Sequence, residues 1–475
     1  MYINREYWHR LCFSKGWGRE YHLDTVLEVL WMLAEAGGQL LLQPFYYIAI
    51  ILIMLIYRRQ VLLERKLFHV RLHSWGAQTW RTVLGGLAAG ACVSLISLFL
   101  GMSISMEGII CIWAVTLFLL LFRVRYLCLA YAVGLLGIAQ FILNLAPGLQ
   151  GSGWIAEVIR IVRELNMPAL LCLAAVLHVA EGLLVRWQGA AFAGPLFFEG
   201  KRGKLVGGYQ LQSLWPVPLF LLIPAQTAGA VLPWTPLFGG DAWQGGFQWI
   251  AFPIVIGFTE MTTGLLPKAK ARVSSGRLVG YGVVMLALAL LSAWWSPFMV
   301  VAALAGIILH EGLVWLSRLE EQKSSPLFVH PVDGLKVLAV LPGSPAEELG
   351  IQAGETIAKA NGTPVTTKEE LHAALRMNPA FCKLEVRNFA GESKFLQRAI
   401  YAGEHHQLGV ILAPDDQAPF AVRMRPISLI HLLRPRREGE SANRGARRSG
   451  GGHKSRSADK GQTPLKQDIQ AETEG

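Results

Sequence analysis

Charge is what this chain has least of. Only 16% of its 475 residues are Asp, Glu, Lys or Arg, against 53% hydrophobic, where a soluble protein carries about a quarter charged residues. Most of the chain therefore needs a solvent other than water. Cysteine is sparse too. Four of the six (Cys92, Cys111, Cys128, Cys172) lie inside apolar stretches, where a thiol behaves as a small hydrophobe. No CxxC or CxxH spacing occurs, which argues against a cysteine-based zinc site. The first 40 residues lack a basic start, short apolar core and small-residue cleavage site in that order, so no cleaved signal peptide is expected. The net charge of +11 comes without a base-reading motif, so no nucleic acid is expected. Lys and Arg are better placed to anchor loops against anionic headgroups.

Apolar length is what the chain has most of. A helix crosses a bilayer with about 20 apolar residues, and nine stretches approach that. They are Leu40–Tyr57, Thr82–Leu100, Gly108–Phe122, Tyr126–Leu145, Pro168–Val185, Leu214–Leu232, Phe247–Met261, Val279–Trp295 and Phe298–Leu316. Those at Gly108 and Phe247 are short enough to be re-entrant, so seven to nine transmembrane helices are expected. Alternate loops (58–81, 123–125, 186–213, 265–278) hold sixteen Lys or Arg, and the loops between them hold only Arg160 and Arg163. By the positive-inside rule this puts everything after Leu316 in the cytoplasm. Residues 1–39 form a juxtamembrane segment, amphipathic from Leu23 to Ala36, and 40–316 the helical bundle. An internal echo is visible: His178-Val179-Ala180-Glu181-Gly182-Leu183 recurs in shortened form as His310-Glu311-Gly312-Leu313. Each copy is followed by Pro-Leu-Phe, at Pro195 and Pro326.

From Pro331 the composition is that of a soluble domain. Leu335–Leu341 is a strand, Pro342-Gly343-Ser344-Pro345 a turn, Ala346–Leu349 a short helix and Thr356–Ala360 a second strand. Asn361-Gly362 is a hairpin signal, and Thr367 with Glu370 is a capping box opening a helix to about Arg376. Strands follow at Cys382–Phe389, Lys394–Tyr401 and Gly409–Leu412. Beyond Arg434 the chain is poor in large apolar residues, and 434–475 reads as a basic disordered tail.

The run LAVLPGSPAEELGIQAGETIAKANGTPV (Leu338–Val365) resembles the bacterial PDZ pattern, with Glu355 where Asp is usual. A PDZ domain at about 327–414, a small α/β unit built as a partly open β-barrel with two helices, is what this resemblance implies. Such domains bind an extended peptide as an added strand, its carboxylate held by a loop of pattern x-Φ-G-Φ. Gly334-Leu335-Lys336-Val337 stands in the expected place with Lys for the glycine. Gln407-Leu408-Gly409-Val410 fits the pattern but would require a permuted strand order. Candidate peptide-binding residues are Leu335, Val337, Ala339, Leu371, Leu375, Leu408, Gly409 and Val410; half of them would be core in any case.

The whole chain resembles the MinJ-like topological determinants of cell division in rod-shaped Gram-positive bacteria. The shared features are YRRQVLLERKLF (Tyr57–Phe68), GKLVGGYQLQSLWPVPL (Gly203–Leu219), HEGLVWL (His310–Leu316) and the terminal PDZ domain. That resemblance implies a membrane scaffold at septum and poles, linking a DivIVA-like coiled-coil protein to the MinC–MinD inhibitor with its MinD-like ATPase. Other divisome components, membrane lipids and a second copy of the chain are further partners under this reading. The alternative is a membrane protease, or a protease regulator that senses peptide ends with its PDZ domain.

No catalytic constellation, cofactor or metal site is expected. A zinc protease needs H-E-x-x-H, so that two histidines share a helix face; here position i+4 from His310 is Val314, and Asp333 lies at the entry to the PDZ domain. Ser344 sits in a turn, outside any G-x-S-x-G elbow. His178, Glu181, Glu260, His310 and Glu311 can form a buried polar cluster, functional or simply pairing helices.

Overall fold

A computed structural model describes residues 31, 34–149, 151–200, 204–224, 236–238, 246–378, 380–399, 401 and 408–415. Nearly all of the amphipathic 23–36 stretch and the whole tail 434–475 lie outside the described residues. Among the described residues, eight α-helices precede the C-terminal domain: α1 Pro44–Phe68, α2 Trp75–Leu100, α3 Met106–Leu120, α4 Leu129–Leu145, α5 Trp154–Glu164, α6 Met167–Gln188, α7 Pro267–Trp294 and α8 Phe298–Lys323. Among the described residues, five (α1, α2, α6, α7, α8) are long and apolar enough to cross a membrane, while α3 and α4 are shorter apolar helices.

Two of the nine expected spans are not helices. Leu214–Leu232 and Phe247–Met261 instead supply strands β2 (Leu205–Pro224) and β3 (Phe247–Thr262), residues 225–232 falling outside the described set. The two pair antiparallel from Tyr209↔Thr262 to Pro224↔Phe247. A third strand, β1 (Gly194–Glu199), pairs with the start of β2. Pro216, Pro218 and Pro224 in one strand and Pro253 in the other explain the departure. Proline inside a helix removes a hydrogen bond and clashes with the preceding turn, costing about 3 kcal/mol each. Antiparallel pairing returns the chain to the end where it entered, so the basic segments before and after the hairpin still share one end.

β2 is buried along nearly its whole length, and among the described residues no strand pairs with its edge opposite β3 beyond Gln210, apart from an isolated bridge between Ser103 and Leu222. That edge faces α2. Its even-numbered backbone positions look outward, and those from Leu214 to Phe220 are accounted for. Leu214 N–H donates to the Tyr57 hydroxyl at 3.3 Å and Phe220 N–H to Ser94 Oγ at 2.8 Å. Pro216 and Pro218, between them, have no N–H. Their carbonyls rest on the backbone of α2 at Gly86 and Gly90, where a Cβ would run into the Pro216 and Pro218 oxygens. Prolines are tolerated on strand edges for this reason, and small residues let backbones approach. Trp215 Nε1–H donates to Gln188 Oε1 at 2.8 Å, and Gln188 Nε2 to Arg81 O at 3.2 Å, tying β2, α6 and α2 together.

The echo in the sequence is an echo in space. Phe197, in the first Pro-Leu-Phe, pairs with Gly207 from β1; Phe328, in the second, bridges Gly207, whose N–H donates to Phe328 O at 2.8 Å. Both copies therefore flank β2 at one residue.

The C-terminal domain is a five-strand path, β8-β7-β5-β4-β9, with β6 beside β5. The strands are β4 Leu335–Val340, β5 Thr356–Ala360, β6 Thr363–Pro364, β7 Phe381–Arg387, β8 Ser393–Ala399 and β9 Val410–Leu412; the helices are α9 Pro345–Glu348 and α10 Lys368–Arg376. Its core holds Leu335, Val337, Ile357, Leu371, Leu375, Leu384 and Leu408. Leu338, Ala339, Ile411 and Ala413 face the other way and join the core of the bundle with Tyr209 and Phe328. The Tyr209 hydroxyl donates to Leu338 O.

Gly90→Ala should lower the thermal stability of the detergent-solubilised protein by about 1–3 kcal/mol, the range for overpacking a filled contact. Gly276→Ala, on α7 with nothing within 4 Å, should instead raise it by about 0.5–1 kcal/mol. Thermal unfolding of the two variants beside the parent checks both signs.

Candidate functional site

β9 is one edge of the C-terminal sheet, with β8 as the other. Leu341 N–H donates to Gly409 O and Ala413 N–H to Lys336 O, each at 2.8 Å. In an antiparallel pair alternate residues bond inward and outward. The N–H and C=O of Val410 and Leu412 thus point away from β4, and among the described residues no strand covers them. Gly409 enters this strand at φ +83°, a left-handed conformation that glycine adopts without penalty. Its Cα also lies against Ser344, so that a Cβ would overlap the serine side chain. Ser344 in turn caps α9, accepting from Glu347 N–H at 3.4 Å, and Ala346 N–H donates to Leu408 O at 2.9 Å. The PGSP turn and the Leu408-Gly409-Val410 loop are one packed unit.

The expected site residues divide by position. Leu408, Gly409 and Val410 form the loop and start of the edge strand. Leu335 and Val337 are buried in β4, flanked by β5 on one side and β9 on the other. Ala339 faces the bundle. Leu371 and Leu375 are buried on α10, in the same core as Leu408, Val410 and Leu412. Gly334 turns at φ +105° into β4, and Leu335–Val337 lie in that strand between β5 and β9, where Lys336 O accepts a hydrogen bond and burial lowers the Lys336 ammonium pKa. The permuted order, with the x-Φ-G-Φ loop last, is the one the chain adopts.

α10 is fixed from its first turn. Thr367 Oγ1 accepts from Glu370 N–H at 3.1 Å, and Glu370 Oε2 accepts from Thr366 N–H and Thr367 N–H at 2.7 and 3.1 Å and from the Thr366 hydroxyl at 2.9 Å. The Thr366 and Thr367 donors hold the Glu370 carboxyl below the usual carboxylate range. Asn361, at φ 48° in the hairpin turn, donates to Ala374 O at 2.9 Å and joins the far end of the helix to the sheet. Cys382 is buried under it, and burial pushes its thiol up to about 11, which leaves it unreactive at neutral pH.

Of the polar residues singled out in the membrane stretches, the fold brings together three. His178 on α6, His310 and Glu311 on α8 meet Cys128, Tyr131 and Arg125 at the start of α4. Glu181 is buried one turn from His178. Glu260 belongs elsewhere: its carboxylate meets Lys270 at 3.0 Å and Ser274 at 2.7 Å, and Lys270 reaches Ser317 at 2.8 Å. Spacing rules see neither Cys128 nor Tyr131, because the cluster draws on three separated helices. The recurrence of His178 and His310 in the echo was the available signal. Glu311 is held by Arg125 at 2.7 Å and by the Tyr131 hydroxyl at 3.0 Å, and a carboxylate so neutralised is a poor general base for a protease.

Similarity to known proteins agrees with this layout. A family model described as a PDZ domain matches residues 336–388, which ends before β8 and β9. The cell division topological determinant MinJ of Bacillus subtilis (strain 168) is 30% identical over 398 residues, covering 82% of this chain and 97% of that protein. A probable cell division topological determinant MinJ of Lacticaseibacillus paracasei is 26% identical over 370 residues, covering 75% and 91%. A putative serine protease, HhoA of Synechocystis, matches over only 43 residues, 9% of this chain and 11% of that protein. The two MinJ relatives are named as cell division topological determinants, a non-enzymatic role.

Gly409→Ala should lower the stability of the C-terminal domain by about 1–3 kcal/mol, through strain at positive φ and overlap with Ser344, and limited proteolysis of the full chain would register it. Acid should act through Glu370. Its folded pKa is depressed, so its contribution is complete above the unfolded carboxylate value and is lost as pH falls through the folded one; hydrogen exchange of α10 should quicken over that interval, and Glu370→Gln should abolish the pH dependence. Taken with the bundle, the hairpin and the PDZ domain, the match along most of both chains means that this protein belongs to the MinJ family of cell division topological determinants.

Proposed function

We propose that the protein is a multi-pass scaffold that positions division-site regulators, with its PDZ domain on the cytoplasmic face. Under this reading it sits at septum and poles, binds a DivIVA-like coiled-coil protein, and recruits the MinC–MinD inhibitor through its MinD-like ATPase. The observation that carries the peptide-binding part is the open β9 edge behind the Leu408-Gly409-Val410 loop. A peptide would add to β9 as a sixth member of the strand path, its carboxylate met by backbone N–H groups of the loop and its side chains by α10. Leu408, Leu371 and Leu375 shape that wall from within the core. Leu335, Val337 and Ala339 support it from β4 and stay out of contact with the ligand.

The sidedness follows from charge. The basic segments 58–81, 123–125, 186–213 and 265–278 alternate with segments nearly free of Lys and Arg, and the β2–β3 hairpin enters and returns as two helices would. Helix α5, with Trp154, Ile155 and Val158 exposed and Glu157, Arg160 and Glu164 paired on its other face, is built to lie in the opposite interface.

A fluorescent fusion expressed in growing rod-shaped cells tests the reading, alongside a version lacking 327–414 and a Gly409→Ala version. Signal at septa and poles, with minicells or filaments on deletion of the gene, is expected. Uniform membrane signal with normal division would overturn the scaffold assignment; correct placement with unaltered recruitment in both variants would overturn the role of the β9 edge.

A further inference from the structure

The cluster between α4, α6 and α8 has a property that helix pairing does not explain. Cys128 Sγ lies 3.1 Å from His178 Nε2 and 3.7 Å from His310 Nε2, and the three atoms all fall within 4.8 Å of one another. Which ring nitrogen carries the proton is fixed on both histidines. His178 Nδ1 lies 2.6 Å from Ala174 O; a carbonyl only accepts, so Nδ1 holds the hydrogen and Nε2 presents its lone pair. His310 Nδ1 lies 2.9 Å from the Tyr131 hydroxyl. The single hydrogen of that hydroxyl is committed to Glu311, which also pairs with Arg125 at 2.7 Å. Tyr131 oxygen therefore accepts from His310 Nδ1, and His310 Nε2 also presents a lone pair.

Two lone pairs thus converge on one sulfur. A thiol has one hydrogen and can satisfy one of them; the other is left facing an acceptor. A cation removes the conflict. We propose that Cys128, His178 and His310 form a site for a borderline-soft divalent metal ion of the zinc class, bound by one thiolate and two neutral imidazoles. Zinc bonds of about 2.3 Å to sulfur and 2.0–2.1 Å to nitrogen at a tetrahedral angle put sulfur and nitrogen about 3.6 Å apart, and the observed 3.1 and 3.7 Å bracket that separation. Hydrogen bonds from the far nitrogen of each ligating imidazole to a carbonyl or to a carboxylate-linked group are the usual outer support of such sites; Ala174 supplies the first, and Tyr131 with Glu311 and Arg125 the second. Among the described residues no fourth protein ligand joins the three, which leaves one position for water. The ion would clamp the start of α4 to the middle of α6 and to α8, the helix that leads into the PDZ domain. Binding expels the thiol proton to solvent, so affinity falls with pH.

The test uses full-length protein in detergent, stripped with a chelator and titrated with Co²⁺ as a spectroscopic stand-in and with Zn²⁺. One metal per chain, a sulfur-to-cobalt charge-transfer band in the near ultraviolet and a rise in Tm with Zn²⁺ are expected. Cys128→Ser should abolish the band and His310→Gln should weaken binding more than tenfold. Tyr131→Phe keeps all three ligands and should weaken binding by about 10–100-fold, which covers the case in which a ligand variant fails to fold. The assignment is overturned if folded parent protein shows no cobalt–sulfur band, or if the band survives in folded Cys128→Ser, which would place the metal on another cysteine.

Discussion

The constraint on which the structure depends is the unpaired edge of β2. A strand edge is a row of donors and acceptors, and inside a bundle of apolar helices no water is at hand to meet them. An unmet buried N–H costs on the order of 1–3 kcal/mol, so four in a row would cost about 4–12 kcal/mol, comparable with the whole margin of a typical fold. The chain meets the constraint in three ways at once. Proline deletes the donors at 216 and 218, hydroxyls of Tyr57 and Ser94 take those of Leu214 and Phe220, and glycines on α2 let the helix close over what remains. The Pro-Val-Pro of the hairpin and the Gly-Gly-x-x-x-Gly of α2 are two halves of one device; either without the other would leave a gap or a clash.

The same strand organises its two ends differently. Toward Pro224 it is enclosed by helices. Toward Leu205 it meets β1, Phe328 and the PDZ domain, and Gly207 and Gly208 are small because Phe328, Leu338 and Phe198 press on them. Charge locks this end. Glu321 at the close of α8 accepts from Thr263 N–H and hydroxyl at 2.5 and 2.6 Å, and the Glu260–Lys270 pair joins β3 to α7. Removing one partner from a buried pair strands the other at a cost of several kcal/mol, so such pairs set register even where they add little net stability. The helix that enters the PDZ domain is therefore fixed to the sheet on which that domain rests.

How much of this was legible depends on how local the signal is. The PDZ elements were readable nearly to the residue, because Asn361-Gly362 demands positive φ, Thr367 and Glu370 form a reciprocal cap, and strands alternate between them. The β2–β3 hairpin was misread as helices because β2 is buried on both faces and β3 carries apolar residues on both, which blurs the period-2 pattern; apolar length alone then looks like a span. Its prolines were the overlooked evidence. The permuted loop at Leu408–Val410 matched its pattern but needed a topology to be placed, and no local rule supplies that. His178 and His310 were flagged by repetition, whereas Cys128 and Tyr131 become visible only when three helices are brought together.

The docking of the PDZ domain bears on what such a scaffold achieves. In β9 successive side chains belong to two cores: Val410 and Leu412 to that of the domain, Ile411 and Ala413 to that of the bundle. A domain on a flexible tether would confine a partner to the membrane surface while leaving its orientation free. Here a strand added beside β9 would extend a sheet already seated on β2, so a bound partner would inherit a fixed direction relative to the bilayer. Orientation costs entropy when it is imposed at binding, and a preorganised surface avoids that cost. For a determinant of position, the seat would matter as much as the groove: were a partner to add to β9 as proposed, the membrane bundle would set where it is held and the sheet which way it faces.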